Sequence, residues 1–560
     1  MVSTSFNLEN TLMKKFKYIL YLGLFAAVLS ACKKDLLNKI PQDSVSSETF
    51  WKTSNDAFLA VNGCYQNLPG DAYQSYYDAY ADNAYAQYPW ESIATVVSSG
   101  DVNLTVDFGW EASYKAIRRF NYLLENIDKT PEDKNLLERY KAEVRFLRAY
   151  QYLNMILLVG DVPLVTKSLA FGEELPRTKE AEVLSFVLKE LTDAAAVLPV
   201  SYAGGKKTEK GRVTKGAALA LKARAHLYYK QWAEAVTAAK AVKTLGYSLF
   251  KVTAETNAQD LKDDYSKWVN FADAAAEKKF RLGLRSYEKL FYTENEGNSE
   301  VILEREYTPE KDTHGLNTLL LPAQVGGWAS ISPTQPLVDD YWMSNGQPHV
   351  PVAVATRAAL YNAKDPKYMD EYKNRDPRFY ASIEFDGNPW NLLVNGYSYD
   401  WGVNESASKT GYGFRKLVDP NEQREYKAFN NTILIRYAEV LLTQAEAQNE
   451  LSGPGTEVYD ALDEIRTRVG MPVIDRVVYN NQDKVRLLIQ QERRIELAGE
   501  GHRYFDIRRW GIASSVMKDL VDLKNSSVQK RSWSNKLMKL PVPQAAVDKN
   551  SKLNPNNTGY

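Results

Sequence analysis

The sequence is poor in cysteine and histidine, with two cysteines and four histidines among 560 residues. The histidines lie far apart in the chain and lack the spacing of zinc ligands. No phosphate-binding loop, dinucleotide fingerprint or Gly-x-Ser-x-Gly elbow stands in a convincing context. We therefore expect no metal, no cofactor and no catalytic residue. A catalytic pair of carboxylates, as in a glycosidase, remains an alternative, because such a pair is defined by a spatial separation that a sequence does not show.

The chain also lacks an excess of either charge and any long apolar run. Its 70 lysines and arginines equal its 70 aspartates and glutamates, so no net charge draws the protein to nucleic acid. The N-terminal apolar run, residues 18–29, is shorter than the roughly 20 residues that a membrane-spanning helix needs. Aromatic residues are abundant instead. The 36 tyrosines and 11 tryptophans exceed what helix packing requires and suit partly exposed recognition surfaces.

The first 47 residues indicate secretion and attachment to a membrane. A basic segment begins at Met13, an apolar run follows, and Leu29-Ser30-Ala31-Cys32 ends in small residues before a cysteine. This pattern predicts a signal peptide over residues 1–31, with the true start at Met13. Because the last four residues resemble a bacterial lipobox, we expect Cys32 to carry lipid and residues 32–47 to form a flexible tether. An ordinary signal peptide and a short anchor helix are the alternatives.

Apolar residues at three- and four-residue spacing predict helices on both sides of an irregular middle. In the body of the chain, residues 48–560, one helical part covers about 113–246 and another about 431–510. The predicted helices span residues 114–127, 136–158, 180–198, 215–229, 232–245, 435–450, 457–469 and 483–497. Residues 215–245 resemble a tetratricopeptide unit, in which small and bulky residues interlock between two helices. The loop-rich part, about 251–430, has weak periodicity, which predicts loops, short helices and short strands.

Short motifs rich in Arg, Glu and aromatic residues are distributed over almost the whole body. The most specific is RRIELAGEGHRYFDIRRW at residues 493–510. The others are AEVRFLRAY (142–150), GDVPLV (160–165), GRVTKGAA (211–218), PTQ (333–335), GQP (346–348), RDPR (375–378), IRYAEVLL (435–442), LPVP (540–543) and NTGY (557–560). Such residues suit ion pairs and helix caps that lock repeats together, so we interpret the longest motif as structural. Together the segments resemble the SusD/RagB family of outer-membrane nutrient-binding lipoproteins.

The resemblance implies a mainly α fold, a tetratricopeptide-like helical-repeat scaffold with an irregular, loop-rich ligand-binding face. It also implies a lipoprotein on the surface of the outer membrane, which closes like a lid over a SusC-like TonB-dependent transporter. The expected function is non-catalytic capture of a glycan, an oligo- or polysaccharide, and its delivery to that transporter. A peptide-capturing RagB-like lipoprotein, a secreted glycosidase and a tetratricopeptide interaction scaffold are the alternatives.

Loop aromatics mixed with polar side chains are the residues to search for a sugar site, because sugar faces stack on Trp and Tyr while hydroxyls bond to polar groups. Three clusters have this composition, and the resemblance implies that the first lies in a ligand-facing loop. The candidate ligand residues are Tyr85, Tyr88, Trp90 and Asn103 in the first cluster, Gln324 and Trp328 in the second, and Trp390 and Trp401 in the third. Gly326 and Gly327 are expected to place Trp328 on a flexible tip. Such aromatics also occur in protein cores, which is the alternative for each cluster.

Overall fold

The computed structural model describes residues 50–202, 209–255, 263–390, 397–402, 408–422 and 425–560. The predicted signal peptide, the tether and Cys32 lie outside these residues. Contacts divide the described chain into two compact units, one with residues 50–59 and 126–133 and the other with the rest. In the smaller unit, Ser54 Oγ donates a hydrogen bond to the Pro131 carbonyl oxygen at 3.1 Å. The elements that position the candidate site all belong to the larger unit.

Helices dominate the described residues. The α-helices are α1 (Ser54–Tyr65), α2 (Asp71–Ala79), α3 (Ala94–Ser99), α4 (Trp110–Asn126), α5 (Lys134–Val159), α6 (Glu180–Val197), α7 (Lys215–Tyr228), α8 (Trp232–Lys243), α9 (Ala274–Glu288), α10 (Leu316–Leu320), α11 (Gln335–Asp340), α12 (Val354–Asn362), α13 (Pro377–Ser382), α14 (Tyr437–Ser452), α15 (Thr456–Arg468), α16 (Gln482–Glu496), α17 (Arg503–Arg509), α18 (Ala513–Val516) and α19 (Gln544–Val547). Short 3₁₀ helices span Ile127–Lys129, Lys289–Phe291, Thr293–Asn295, Ala323–Val325, Pro366–Tyr372, Asn535–Met538 and Ser551–Leu553. The strands are β1 (Ala84–Ala86), β2 (Val301–Arg305), β3 (Ile331–Pro333), β4 (Ile383–Glu384), β5 (Gly413–Phe414), β6 (Thr432–Arg436), β7 (Leu520–Val521) and β8 (Ser527–Gln529). Within these described ranges, no helix is both long enough and apolar enough to cross a membrane.

The expected mainly α fold is confirmed, and the helices predicted from periodicity are present with ends shifted by a few residues. The predicted helix over 435–450 is wrong at its start, because its first residues belong to β6 and α14 begins at Tyr437. Ile433 and Ile435 are buried, and β6 pairs antiparallel with β2. Buried β-branched residues that find a partner strand favour extended backbone over helix.

Helix α9, with 15 residues, lies inside the part predicted to be rich in loops. Its apolar pattern is interrupted by Arg281 and Arg285, which are both buried. Arg281 Nε lies 2.9 Å from a Glu255 carboxylate oxygen, and Arg285 Nη2 lies 2.7 Å from Asp263 Oδ2. Buried charges are tolerated when they are paired. These pairings are spatial, so the helix face looks polar in the sequence although it is buried in the fold.

The helical scaffold is one continuous stack although its two parts lie far apart in sequence. Helix α5 packs on α6, α6 on α7, α7 on α8 and α8 on α14, which also contacts α15 and α16. The α8–α14 contact therefore joins the two parts. Ala235 of α8 and Ala447 of α14 are fully buried in one cluster with Leu227, Tyr228 and Val236. Short side chains at a contact allow helix axes to approach closely.

The strands form two-stranded antiparallel pairs that connect distant parts of the chain. Strand β2 pairs with β6, β4 with β5 and β7 with β8. Strand β1 pairs with β3, so that Ala84 lies opposite Pro333 and Ala86 opposite Ile331. The loops that follow β1 and precede β3 therefore start from adjacent positions, although they belong to different aromatic clusters.

Buried ion pairs hold the segment that leads into β1. Arg494 Nη2 lies 2.8 Å from Asp82 Oδ2, and Arg503 Nε lies 2.7 Å from Asp82 Oδ1. Burial alone would raise the pKa of the Asp82 carboxyl, but the two guanidinium groups outweigh it and hold the pKa well below its usual range. Arg531 Nη2 donates to the Ala84 carbonyl oxygen at 3.0 Å. The long Arg-rich motif thus positions the start of the first aromatic cluster.

Candidate functional site

The β1–β3 pair brings the first and second aromatic clusters together. The Gln87 backbone N–H donates to the Ser330 carbonyl oxygen at 2.8 Å, and Gln87 Nε2 donates to the Trp328 carbonyl oxygen at 3.3 Å. Ser330 Oγ donates to one Glu91 carboxylate oxygen at 3.2 Å, and Tyr76 OH donates to the other at 2.7 Å. The two loops are therefore tied to each other and to helix α2.

Two aromatic pairs, Tyr88 with Trp90 and Trp328 with Tyr426, lie at or beside these loops, and we call the four side chains the aromatic platform. Trp90 is 77% exposed and Trp328 is 44% exposed. The Trp90 ring lies 5.0 Å from the Tyr88 ring, and the Trp328 ring meets Tyr426 edge to face at 5.4 Å. Each tryptophan is thus oriented by one aromatic neighbour while much of its surface faces water. Large exposed aromatic surfaces of this kind mark interaction sites.

The loop that carries Trp328 is held by its own backbone rather than forming the expected flexible tip. The Trp328 N–H donates to the Thr318 carbonyl oxygen at 2.7 Å, and the Ala329 N–H donates to the Leu321 carbonyl oxygen at 2.9 Å. A β-carbon at Gly327 would lie 1.9 Å from that same Leu321 oxygen. Glycine is required here for close approach of two backbones, so the backbone that carries Trp328 lies against the Leu321 carbonyl group.

Two glutamine side chains beside the platform connect its loops. Gln324 Nε2 donates to the Asp400 carbonyl oxygen at 3.2 Å, which ties the second cluster to the edge of the third. Neither the Gln87 nor the Gln324 amide oxygen has a hydrogen-bond partner in the described part of the chain. Both oxygens are also buried from solvent, so the two side chains tie the loops together rather than facing a ligand.

Tyr85 and Asn103, the other candidates of the first cluster, lie outside the platform. Tyr85 is half-buried in β1, where burial raises its pKa and the nearby Arg531 opposes the shift. Asn103 is exposed, and its side-chain oxygen accepts from the Thr105 N–H at 2.9 Å and from the Thr105 hydroxyl at 2.6 Å. These contacts close a local turn, so the Asn103 side chain stabilises its own loop.

Trp390 and Trp401, the candidates of the third cluster, are buried and only 3% and 4% exposed. Trp401 Nε1 donates to the Ser408 carbonyl oxygen at 2.7 Å, and the Arg415 guanidinium group lies 5.1 Å from the Trp390 ring centre. Both indoles therefore pack inside the protein and offer little surface to a ligand. The physical reason is long-range packing, which composition alone does not distinguish from surface exposure. We leave these two residues out of the platform.

Tyr426 is the platform residue that sequence reasoning missed. It is 45% exposed and has a positive backbone φ of 61°. The Thr313 hydroxyl donates to its carbonyl oxygen at 2.8 Å, which places the ring against Trp328. A single tyrosine between Glu425 and Lys427 carries no local signal of a site. Its role depends on a contact between segments that are far apart in sequence.

A group of potential metal ligands was not predicted from the sequence, because its members lie far apart along the chain. Asp339, His349 and Glu371 place ligand atoms within 4.8 Å of one another. Arg357 donates to both Glu371 oxygens at 2.7 and 2.8 Å and lies 3.6 Å from Asp339. Burial, together with Arg375 and Arg357, lowers the pKa of His349 to about 4. Because a guanidinium group already pairs with both carboxylates, we interpret the group as a structural ion cluster.

Known proteins share both the sequence pattern and the fold. The family model described as "SusD family" matches residues 288–560, and the model described as "Starch-binding associating with outer membrane" matches residues 37–227. The chain is 28% identical to SusD-like protein P38 of Formosa agariphila, over 94% of this chain and 98% of that protein.

Two solved structures from Bacteroides fragilis are also similar. A SusD-like protein has 28% identity and a TM-score of 0.75, with 93% of this chain and 100% of the other covered. A SusD-like carbohydrate binding protein has 27% identity and a TM-score of 0.73, with 90% and 100% covered. These matches confirm the expected SusD-like fold. The chain belongs to the SusD/RagB family.

Proposed function

We propose that this protein captures a glycan at the cell surface without changing it chemically and delivers it to a SusC-like TonB-dependent transporter. The observation that carries the binding part is the aromatic platform, where Trp90 and Trp328 present exposed ring surface on loops that Gln87 joins. The apolar face of a sugar ring stacks on an exposed indole. Rings held in place before binding reduce the entropy cost of capture.

The relatives support the same function. One similar structure is described as a carbohydrate binding protein, and the family model over residues 37–227 describes starch-binding proteins that associate with the outer membrane. The transporter partner and the lipid anchor at Cys32 are proposed by analogy with the family. In this proposal the protein first captures the glycan at the cell surface, and the transporter then carries it inward.

The hydrogen bonds of Glu91, the carboxylate next to the platform, support capture without catalysis. A glycosidase needs a proton-donating acid and a second carboxylate on the two sides of the bond that it cleaves. Both oxygens of Glu91 instead accept hydrogen bonds, from Tyr76 and Ser330. Glu91 therefore joins α2 to the residue that precedes β3 and supports the loops. A secreted glycosidase and a peptide-capturing protein are the alternatives that the experiment must separate.

A panel of ligands tests the proposal directly. Purified protein is titrated calorimetrically with oligosaccharides from starch, β-glucan, xylan and mannan and with mixed peptides, and each mixture is then analysed for shortened products by chromatography. We expect heat of binding with at least one oligosaccharide and no new reducing ends. Product formation would support a glycosidase, binding of peptides alone would support peptide capture, and no binding at all would favour an interaction scaffold.

Membrane attachment is tested at Cys32. In cells, Cys32→Ala is expected to move the protein from the membrane fraction to the soluble fraction, because the lipid supplies the anchoring free energy. The matched control is Cys64→Ala, since Cys64 is the second cysteine and is buried in the fold. Retention of the Cys32→Ala protein in the membrane fraction, with the control also retained, would contradict lipid anchoring.

A further inference from the structure

An apolar cleft that shares no lining residue with the aromatic platform opens on the larger unit. It encloses about 370 Å³ between the first turns of α4, the segment 163–175 and the C-terminal segment 543–553. This volume falls within the range of about 300 to 1,000 Å³ that is typical of small-molecule sites. Trp110, Val165 and Leu553 form a buried floor, and the other lining residues are half apolar and half charged or polar.

The walls of this cleft are fixed at their bases by hydrogen bonds. Tyr114 OH donates to the Pro163 carbonyl oxygen at 2.9 Å, which joins α4 to the segment 163–175. Asn550 Nδ2 donates to the Leu175 carbonyl oxygen at 2.8 Å, which joins that segment to the C-terminal one. Three parts of the chain thus hold the opening apart. A cleft that is open before binding does not require the protein to rearrange when a ligand enters.

The rim carries charged groups, and two of its carboxylates are already used inside the protein. Asp107 Oδ1 accepts from the backbone N–H groups of Gly109 and Trp110 at 2.8 and 2.7 Å, at the start of α4. Glu173 accepts from the Ala170 N–H at 3.1 Å within its own loop. These hydrogen bonds satisfy part of the accepting capacity of the two carboxylates.

The cations of the rim are less completely paired. Lys115 and Lys549 share one carboxylate, Glu111, at 2.8 and 3.6 Å. Arg118 lies one turn further along α4, is exposed and lines the same cleft. Within the described ranges, Arg118 has neither a hydrogen bond nor an ion pair with another side chain. The cleft therefore combines an apolar floor with a guanidinium group at its edge that is available to an anion.

We propose that this cleft binds a small amphiphile with an apolar body and an anionic head. The body lies against the half-buried side chains of Tyr114, Leu169 and Leu175, where removal of apolar surface from water supplies the driving force. The carboxylate or sulfonate head lies beside Arg118, whose planar donors suit oxygen anions. This site is independent of the proposed glycan platform, because the two share no residue.

The test uses 8-anilinonaphthalene-1-sulfonate as a fluorescent probe and decanoate as its competitor, with the full chain at neutral pH. Ala546 is half-buried on α19 and lines the cleft, so Ala546→Trp fills the space with an indole. Arg118→Glu reverses the charge at the edge. We expect saturable fluorescence enhancement in the wild type, displacement by decanoate but weaker displacement by decanol, and roughly tenfold lower probe affinity in each variant.

Two control variants make comparable changes at exposed positions that do not line the cleft. Ala355→Trp adds an indole at an exposed position on α12, and Lys278→Glu reverses a charge at an exposed position on α9. Both should bind the probe as the wild type does, and all four variants should keep the oligosaccharide affinity of the platform. No enhancement in the wild type, wild-type probe affinity in Ala546→Trp, or equal displacement by decanol and decanoate would overturn the proposal.

Discussion

Replacement of both Trp90 and Trp328 by alanine is expected to reduce affinity for the bound oligosaccharide by about 100-fold or more. Truncation of a tryptophan at the centre of an interface commonly costs roughly 2 kcal/mol, and 1.4 kcal/mol is a factor of ten in affinity. The two indoles belong to loops that are joined by the Gln87–Trp328 hydrogen bond, so we expect one ligand chain to contact both. Calorimetric titration of the double and single variants measures the loss.

The matched control for the tryptophan variants is Phe171→Ala. Phe171 is a fully exposed aromatic residue outside the platform, so its removal should leave the oligosaccharide affinity unchanged. The melting temperature should change little in Trp90→Ala, because its side chain is 77% exposed and contributes little to the core. Unchanged oligosaccharide affinity in the folded double variant would show that the platform is not the binding surface.

The helical scaffold could be predicted from the sequence because its information is local. Apolar spacing places helices α4 to α8 and α14 to α16 with small errors at their ends. The stacking of α8 on α14 involves buried Ala235 and Ala447, and no sequence pattern predicted which helices of the two parts would meet. Helix α9 was not predicted, because Arg281 and Arg285 gain their partners only in the folded state. Local periodicity does not report such pairs.

The candidate site could be predicted only in part, because exposure is a property of the whole fold. Trp90 and Trp328 stand beside proline or glycine, and their loops reach the surface. Trp390 and Trp401 have a similar sequence context, but they pack against Arg415 and the Ser408 carbonyl group. Tyr426 joins the platform through a contact with a distant segment. The sequence therefore indicates which residue types to examine, while tertiary packing decides which of them a ligand reaches.

Glu496→Gln is expected to lower the free energy of unfolding by about 3 to 5 kcal/mol, the usual cost of breaking a buried ion pair. The Glu496 carboxylate is fully buried and accepts from Arg378 at 3.1 Å, from Arg436 at 2.8 Å and from Arg468. Glutamine keeps the size of the side chain but removes its charge, so three buried guanidinium groups lose a shared counter-charge. Urea unfolding followed by circular dichroism measures the change.

Glu457→Gln provides the matched control on the same scaffold. The Glu457 side chain is 50% exposed and lies 2.7 Å from Lys240, and exposed pairs contribute only about 0 to 1 kcal/mol. The two variants make the same chemical change in different surroundings. Equal losses of unfolding free energy in both would contradict the special role of the buried cluster.

The effect of Glu496→Gln should also depend on pH. Burial alone would raise the pKa of Glu496, but Arg468, Arg436 and Arg378 outweigh it and hold the pKa well below its usual range. A carboxyl with a lowered folded-state pKa stabilises the fold above its unfolded-state pKa, about 4.3, and this contribution is lost as the pH falls toward the folded-state value. The difference between wild type and variant should therefore be largest near neutral pH and shrink below about pH 4. A difference that stays constant over this range would show that altered packing, rather than charge, causes the loss.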